Sequence, residues 1–198
     1  VDELRQGIWR WEARHPIWTA NDGGPDGWGP EVASYAIDTG EHLLLIDPLA
    51  VPATVDELGP GRERAIVLTC PWHERDARTA AERLGAPIYV PPPDEGDDDP
   101  TPGTVFAAGD RLPVDVEAFL GIEPNDLVLW IESRRALVLG DTLVDRGDGL
   151  EIPVTWLRDV TLAEVLATLR PLLDLPVEIV LPTHGPPADR ATLVRAIS

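Results

Sequence analysis

Apolar residues in this chain gather in short runs, and the spacing within each run separates strands from helices. Val32–Ile37 and Leu43–Asp47 are two such runs divided by Asp38-Thr39-Gly40-Glu41, which predicts a hairpin. Ala65–Thr69 has no polar alternation, the pattern of a strand covered on both faces. Ile88–Val90, Val114–Gly121 and Glu178–Leu181 predict further strands, and Leu127–Glu132 with Ala136–Leu139 predicts a second hairpin about Ser133-Arg134-Arg135. Helical spacing is confined to three places. Ala77, Ala80, Ala81 and Leu84 follow Asp76, a good N-cap residue, and Gly85 ends the run. Thr161 and Glu164 carry the signature of a capping box, with Leu162, Val165, Leu166, Leu169, Leu172 and Leu173 on one helix face. Ala188–Ile197 predicts a closing helix.

Strands thus outnumber helices, in two strand-rich stretches each followed by helix. That order predicts two sheets packed together with helices outside, a four-layer αββα sandwich formed as a single domain by residues 1–198. Two segments stand apart from it. Residues 1–31 scatter Trp9, Trp11, Trp18 and Trp28 among Asp22-Gly23-Gly24-Pro25-Asp26-Gly27, which predicts an irregular Trp-rich N-terminal segment with one short strand near Ile8–Trp11. Residues 91–103 combine five Asp and Glu with five Pro and predict an extended acidic surface loop.

Charge narrows the partners. With 35 Asp and Glu against 16 basic residues, all Arg and scattered, the chain carries a formal charge of −19. Nucleic acid is excluded, because phosphate recognition needs a basic face. No apolar run approaches the ~20 residues needed to span a bilayer, and Val-Asp-Glu-Leu-Arg-Gln lacks the basic-then-apolar order of a secretion signal. The lone Cys70 cannot build a disulfide framework. The expectation is a cytoplasmic, acidic protein whose ligand or substrate is a small molecule.

Polar residues leave the C-terminal ends of four apolar runs: Asp47-Pro48, Thr69-Cys-Pro-Trp-His-Glu-Arg-Asp76, Gly140-Asp141-Thr142 and Pro182-Thr183-His184-Gly185. Sheets of α/β folds present their chemistry at such ends. In this order the blocks resemble those of the metallo-β-lactamase-fold hydrolases, over roughly residues 32–187. Leu-Leu-Leu-Ile-Asp47-Pro is similar to the family's first block, Gly140-Asp141 to its bridging-Asp block, and Leu-Pro-Thr-His184-Gly to its last. The resemblance implies the αββα sandwich and a hydrolytic ancestry.

The family's Thr-His-x-His-x-Asp-His block is altered here. Aligned without a gap from Thr69, its His positions hold Cys70, Trp72 and Arg75, its Asp position holds Glu74, and the mid-chain His falls at Ile122. Trp and Ile cannot ligate and Arg cannot lose its proton, so this register excludes a two-metal centre. A one-residue slip puts His73 and Asp76 at ligand positions, with Pro71 and Arg75 at the others. With Asp141 and His184 they then form a two-His, two-carboxylate set sufficient for one zinc, manganese or iron ion. Two function classes stay open. One is a single-metal hydrolase acting on a small ester, thioester or lactone-like substrate. The other, which the ligand count favours, is a pseudoenzyme whose remodelled pocket binds a small molecule or a partner protein, with Asp47, Cys70, Trp72, Glu74 and Arg75 as pocket candidates. In its metal-free form Arg75 would replace the metal's charge by bridging Asp141. Competing structural roles are a helix cap for Asp76, a core position for Cys70 and a turn for Asp47-Pro48. Trp130 and Trp156 read as packing residues, Trp9, Trp11, Trp18 and Trp28 as N-terminal packing or a pocket mouth, and His15 and His42 as surface residues.

Overall fold

The computed structural model describes residues 1–198. Seven strands lie side by side in chain order in the first sheet: β1 (Asp2–Arg5), β2 (Ile8–Arg14), β3 (Glu31–Asp38), β4 (His42–Ile46), β5 (Glu63–Val67), β6 (Ile88–Val90) and β7 (Thr104–Val105). β1 to β4 pair antiparallel, whereas β4 to β7 pair parallel. The change follows from chain length, since parallel neighbours need a crossover of a dozen or more residues; α1 (Ala77–Leu84) supplies the one between β5 and β6. The second sheet contains β8 (Arg111–Leu112), β9 (Val116–Leu120), β10 (Leu127–Ile131), β11 (Ala136–Leu139) and, parallel to β11, β14 (Ile179–Pro182). A small ribbon, β12 (Val144–Asp145) with β13 (Leu150–Glu151), precedes α2 (Leu162–Leu169), and α3 (Arg190–Ile197) closes the chain.

Strand alternation sorts the apolar residues into three clusters. Ile37, Leu44, Ile46 and Val67 of the first sheet meet Leu129, Ile131 and Val138 of the second in the central core. Their neighbours Leu43, Leu45 and Ile66 face outward onto Ala77 and Ala80 of α1. Val128, Trp130 and Leu137 face the other way, onto Val165 and Leu169 of α2 and Leu193 of α3. The layers are therefore helix, sheet, sheet, helix, the predicted αββα sandwich. No helix is long and apolar enough to cross a membrane.

Several local expectations are corrected. The N-terminal segment is more regular than its Trp, Pro and Gly content suggests. β2 is seven residues long and pairs with β3 over its whole length, from Ile8↔Ile37 to Arg14↔Glu31, with β1 at the sheet edge. The helix after Thr161 stops at Leu169, and Arg170–Asp174 tightens into a single turn at Pro171, whose missing N–H cannot continue the α pattern. The capping box is present: Thr161 Oγ1 accepts from the Glu164 N–H, and Glu164 Oε2 accepts from the Thr161 N–H at 2.8 Å. Replacing Thr161 with Ala is expected to cost about 1 kcal/mol, measured as a lower urea midpoint at unchanged m-value.

Parallel pairing levels the strand ends. β4 and β5 finish together at Ile46↔Val67, and β11 and β14 at Leu139↔Pro182. The sheets are tied there by Ala33 N–H to Thr183 O at 2.9 Å, Leu127 N–H to Thr69 O at 2.7 Å and Tyr35 O–H to Pro182 O at 2.6 Å. Everything released just beyond those ends converges on one rim.

Candidate functional site

Asp47 leaves β4 in the left-handed region, at φ 45°, and turns its carboxylate into the protein. Its Oδ1 accepts from the Thr69 N–H at 2.9 Å. Its Oδ2 accepts from Thr69 Oγ1 at 2.6 Å and Thr183 Oγ1 at 3.3 Å, and lies 3.0 Å from His73 Nδ1. His73 ends the single turn Pro71–His73 that follows Cys70. A carboxylate on Nδ1 orients the ring and leaves Nε2 pointing away, toward Asp141.

Asp141 is the meeting point. Its Oδ1 lies 3.4 Å from His73 Nε2 and 3.2 Å from His184 Nε2, and its Oδ2 accepts from the Trp72 indole N–H at 2.8 Å. The turn that carries it is held by Asp126, fully buried, which accepts from Thr142 Oγ1 at 2.6 Å and from the Asp141 N–H at 3.3 Å. Gly140 permits this approach: a Cβ there would lie 2.7 Å from both Asp126 Oδ1 and Thr69 Oγ1.

The charges follow from these contacts. Burial alone would raise the Asp141 carboxyl, but the charge on His73 and the closeness of both imidazoles outweigh it and hold it well below the usual range. Burial and the nearby Arg75 oppose a charge on His73, yet Asp47 and Asp141 overcome both and raise it to about 9. Burial likewise would raise Asp47, and His73 reverses that. Asp126, buried beside Asp141, is pushed up to about 7. Burial, then the charges of Asp141, Asp126 and Asp47, lift the Cys70 thiol well above its ordinary value. His184 is lowered, chiefly by burial. An imidazolium shared by two carboxylates is the electrostatic centre of the rim.

The structure brings Asp47, Cys70, Trp72, His73, Arg75, Asp141 and His184 together and leaves Asp76 and Glu74 elsewhere. Asp76 occupies the N-cap position of α1 without capping it. Its backbone there is not extended, and its Oδ2 instead accepts from the Ala50 N–H at 2.6 Å. Glu74 faces outward, where Oε1 accepts from Arg78 at 2.7 Å and Oε2 from Thr101 of the 91–103 loop. Arg75 borders the site but does not bridge Asp141. Its Nη1 donates to the carbonyls of Ala33 at 2.9 Å and Asp47 at 2.8 Å.

A cavity of about 270 Å³ opens over Asp141, bordered by His15, Trp28, Trp72, Arg75, Trp156 and His184, among others. Trp28 and Trp156 both stand edge-on to His184, at 5.3 and 6.0 Å between ring centroids. Larger grooves continue it on either side, one beyond Trp28 and His184, the other beyond Trp72 and Trp156. His15, expected on the surface, instead packs on Trp28 at 5.2 Å with its Nδ1 buried and unpartnered. His42 pairs with Glu63 at 3.6 Å, away from the site. Trp9 and Trp11 pack against the first sheet and Trp130 under α2, whereas Trp18, Trp28 and Trp156 border the grooves. Sequence reasoning missed Asp126 as well. Its one signal was an Asp immediately ahead of the wholly apolar run Leu127–Ile131.

The donor set can be tested against metal. Trp72 occupies the second oxygen of Asp141 and Ile122 is buried among apolar side chains, so the requirements of two ions are not met. For one ion, three donors gather. Cys70, His73 and Asp141 offer a thiol sulfur, an imidazole nitrogen and a carboxylate oxygen, all within 4.8 Å of one another. His184, with Nε2 3.2 Å from Asp141 Oδ1, stands beside that group and not within it.

The model of the metallo-beta-lactamase superfamily matches residues 56–184, ending on His184. No curated protein matches the chain. Among solved structures, TTHA1623 in a di-iron-bound form is 27% identical, with 88% of this chain and 96% of that one covered at a TM-score of 0.64. The DIM-1 metallo-beta-lactamase exposed to ceftazidime is 14% identical over 98% of this chain and 92% of that one, at a TM-score of 0.70. A metallo beta lactamase from Hirschia baltica is 17% identical over 98% and 93%, at 0.64. At those two identities the likeness is one of fold. The family match covers well over half of the chain and includes the Asp141 and His184 blocks on which the rim is built, and the chain belongs to the metallo-beta-lactamase superfamily.

Proposed function

We propose that this chain is a small-molecule-binding member of its superfamily, derived from a hydrolase scaffold whose two-ion centre has been dismantled. The observation that carries the reading is the Trp72 indole N–H on Asp141 Oδ2 at 2.8 Å. In a two-ion centre that carboxylate bridges metals; here one oxygen is capped by a side chain that also walls a 270 Å³ cavity. TTHA1623 is described as di-iron-bound. The ungapped register of this chain offers Trp72, Arg75 and Ile122 where such a centre needs ligands. The carboxylates of Asp47 and Asp141 share the imidazolium of His73 between them.

The gathering of Cys70, His73 and Asp141 favours a second reading, the single-metal hydrolase of a small ester, thioester or lactone-like substrate. Those three residues would hold the ion, with His184 beside them; when bound, it supplies Lewis-acid activation of water or of a carbonyl oxygen. Asp47 would orient His73 through Nδ1, and Trp72 would fix the angle of Asp141.

Metal content separates the two. The binding reading expects protein purified without chelator to carry no stoichiometric zinc, manganese or iron, and its melting temperature to be unmoved by EDTA or added zinc. One ion per chain, with zinc at about 100 times its Kd stabilising the fold by about 2.7 kcal/mol, would overturn it in favour of the hydrolase. In that case His184→Ala should weaken or erase the shift.

A further inference from the structure

Arg75 is anomalous in its surroundings. It sits at φ 46°, a left-handed backbone rare for a side chain of its size, and turns its guanidinium to the cavity border. Both recorded hydrogen bonds of that guanidinium go from Nη1 to neutral main-chain carbonyls, and its Nε has no partner. The neighbouring carboxylates are already engaged. Asp47 is taken by Thr69, His73 and Thr183, and Asp141 holds the Trp72 indole on Oδ2 with the two imidazoles 3.2 and 3.4 Å from Oδ1. The guanidinium feels Asp47 and Asp141 at a distance but makes no ion pair with either, and on a cavity border it is placed to meet an anion directly.

The walls specify the rest of the ligand. Trp28, Trp72 and Trp156 present large flat apolar faces, with Ile17 and Val32 beside them. The cavity lies near the lower end of the usual range for ligand sites, which suits one ring with a short side arm. A dianion such as a phosphate monoester would want a second free cation, and His73 is committed between its two carboxylates. An organic cation would meet the guanidinium itself. The net charge of −19 repels polyanions from afar, but over a Debye length of ~8 Å in physiological salt its effect on a monoanion already in the cavity is small against direct contact.

From this geometry we infer that the cavity binds a small aromatic or flat apolar monocarboxylate, its carboxylate on Arg75 and its body against the indole walls. The inference rests on the binding reading proposed above and names its ligand class.

The test uses three probes of nearly equal shape, phenylacetate, phenylacetamide and phenethylamine, titrated into chelator-treated full-length protein and followed by tryptophan fluorescence. Phenylacetate is expected to bind at least tenfold more tightly than phenylacetamide, with phenethylamine weakest. Arg75→Gln should bring phenylacetate down to the level of the amide, and Arg75→Lys should retain part of the preference. Equal binding of acid and amide, tighter binding of the amine, or an acid preference that survives in Arg75→Gln would each overturn the inference and leave the binding reading standing. Failure of all three probes would remove both. The wild-type comparison of acid with amide decides the matter even if an Arg75 variant does not fold.

Discussion

Replacing Asp47 with Ala is expected to lower the unfolding free energy by about 3–5 kcal/mol, the usual cost of removing one partner from a buried ion pair. The reason lies in what the carboxylate satisfies. Three residues donate to it from two chain segments, Thr69 through both N–H and Oγ1, His73 through Nδ1 and Thr183 through Oγ1. Without it the Thr69 N–H is a buried donor with no acceptor, and the His73 imidazolium keeps only Asp141. Asp47→Asn keeps the shape but removes the charge and should lose less. Urea denaturation of both variants at pH 7 checks the order. A loss below 1 kcal/mol for Asp47→Ala would mean that this carboxylate does not hold the rim together.

Stability should also fall steeply between pH 7 and 9. His73 titrates at about 9 in the folded protein against 6.5 in the unfolded chain. Its contribution is therefore fully present below pH 6.5 and is lost as the pH climbs through the folded value. A displacement of that size corresponds to about 3 kcal/mol. Up to about pH 8 the alkaline window isolates this group; above that the Cys70 thiol, lifted by burial, adds a loss of the same sign as the unfolded thiol ionises. His15 and His184, both lowered, make the protein more stable as pH rises toward 6.5, while Asp126, raised to about 7, has the opposite effect between about pH 4 and 7. Asp47, lowered, loses its contribution only as acid protonates it below the ordinary carboxylate range. Denaturation of chelator-treated protein at half-unit steps reads the slope directly. In Asp47→Ala the alkaline limb should flatten, since the main partner that raises His73 is gone; a flat limb in the wild type would refute the assignment.

Most of the architecture was legible because the sheets are covered on both faces. Val128, Leu129 and Trp130 need no polar alternation to be read as strand, and the ends of such runs mark where Asp47, Asp141 and His184 emerge. β1 and β2 were less legible. Ile8-Trp-Arg-Trp-Glu-Ala-Arg buries only part of its surface, and its strand character comes from seven backbone pairs with β3 that leave no mark in the side chains. The rim divides the same way. Side chains standing at strand ends were found, and His73 required a shift of register. His15, Asp126 and Trp156 join the site through packing between distant segments, which no local spacing records. Arg75 was placed near the site but given the wrong partner, because its partners are main-chain carbonyls and every residue type has one.

The indole of Trp72 performs two tasks at once, and this constrains any attempt to install a second ion. A His introduced there would free the second oxygen of Asp141, but the same exchange would take down one side of the chamber. Building a two-ion centre here therefore has no neutral first step at this position. Whatever is gained in ion capture is given up in enclosure, and the surrounding wall must be redesigned together with the ligands.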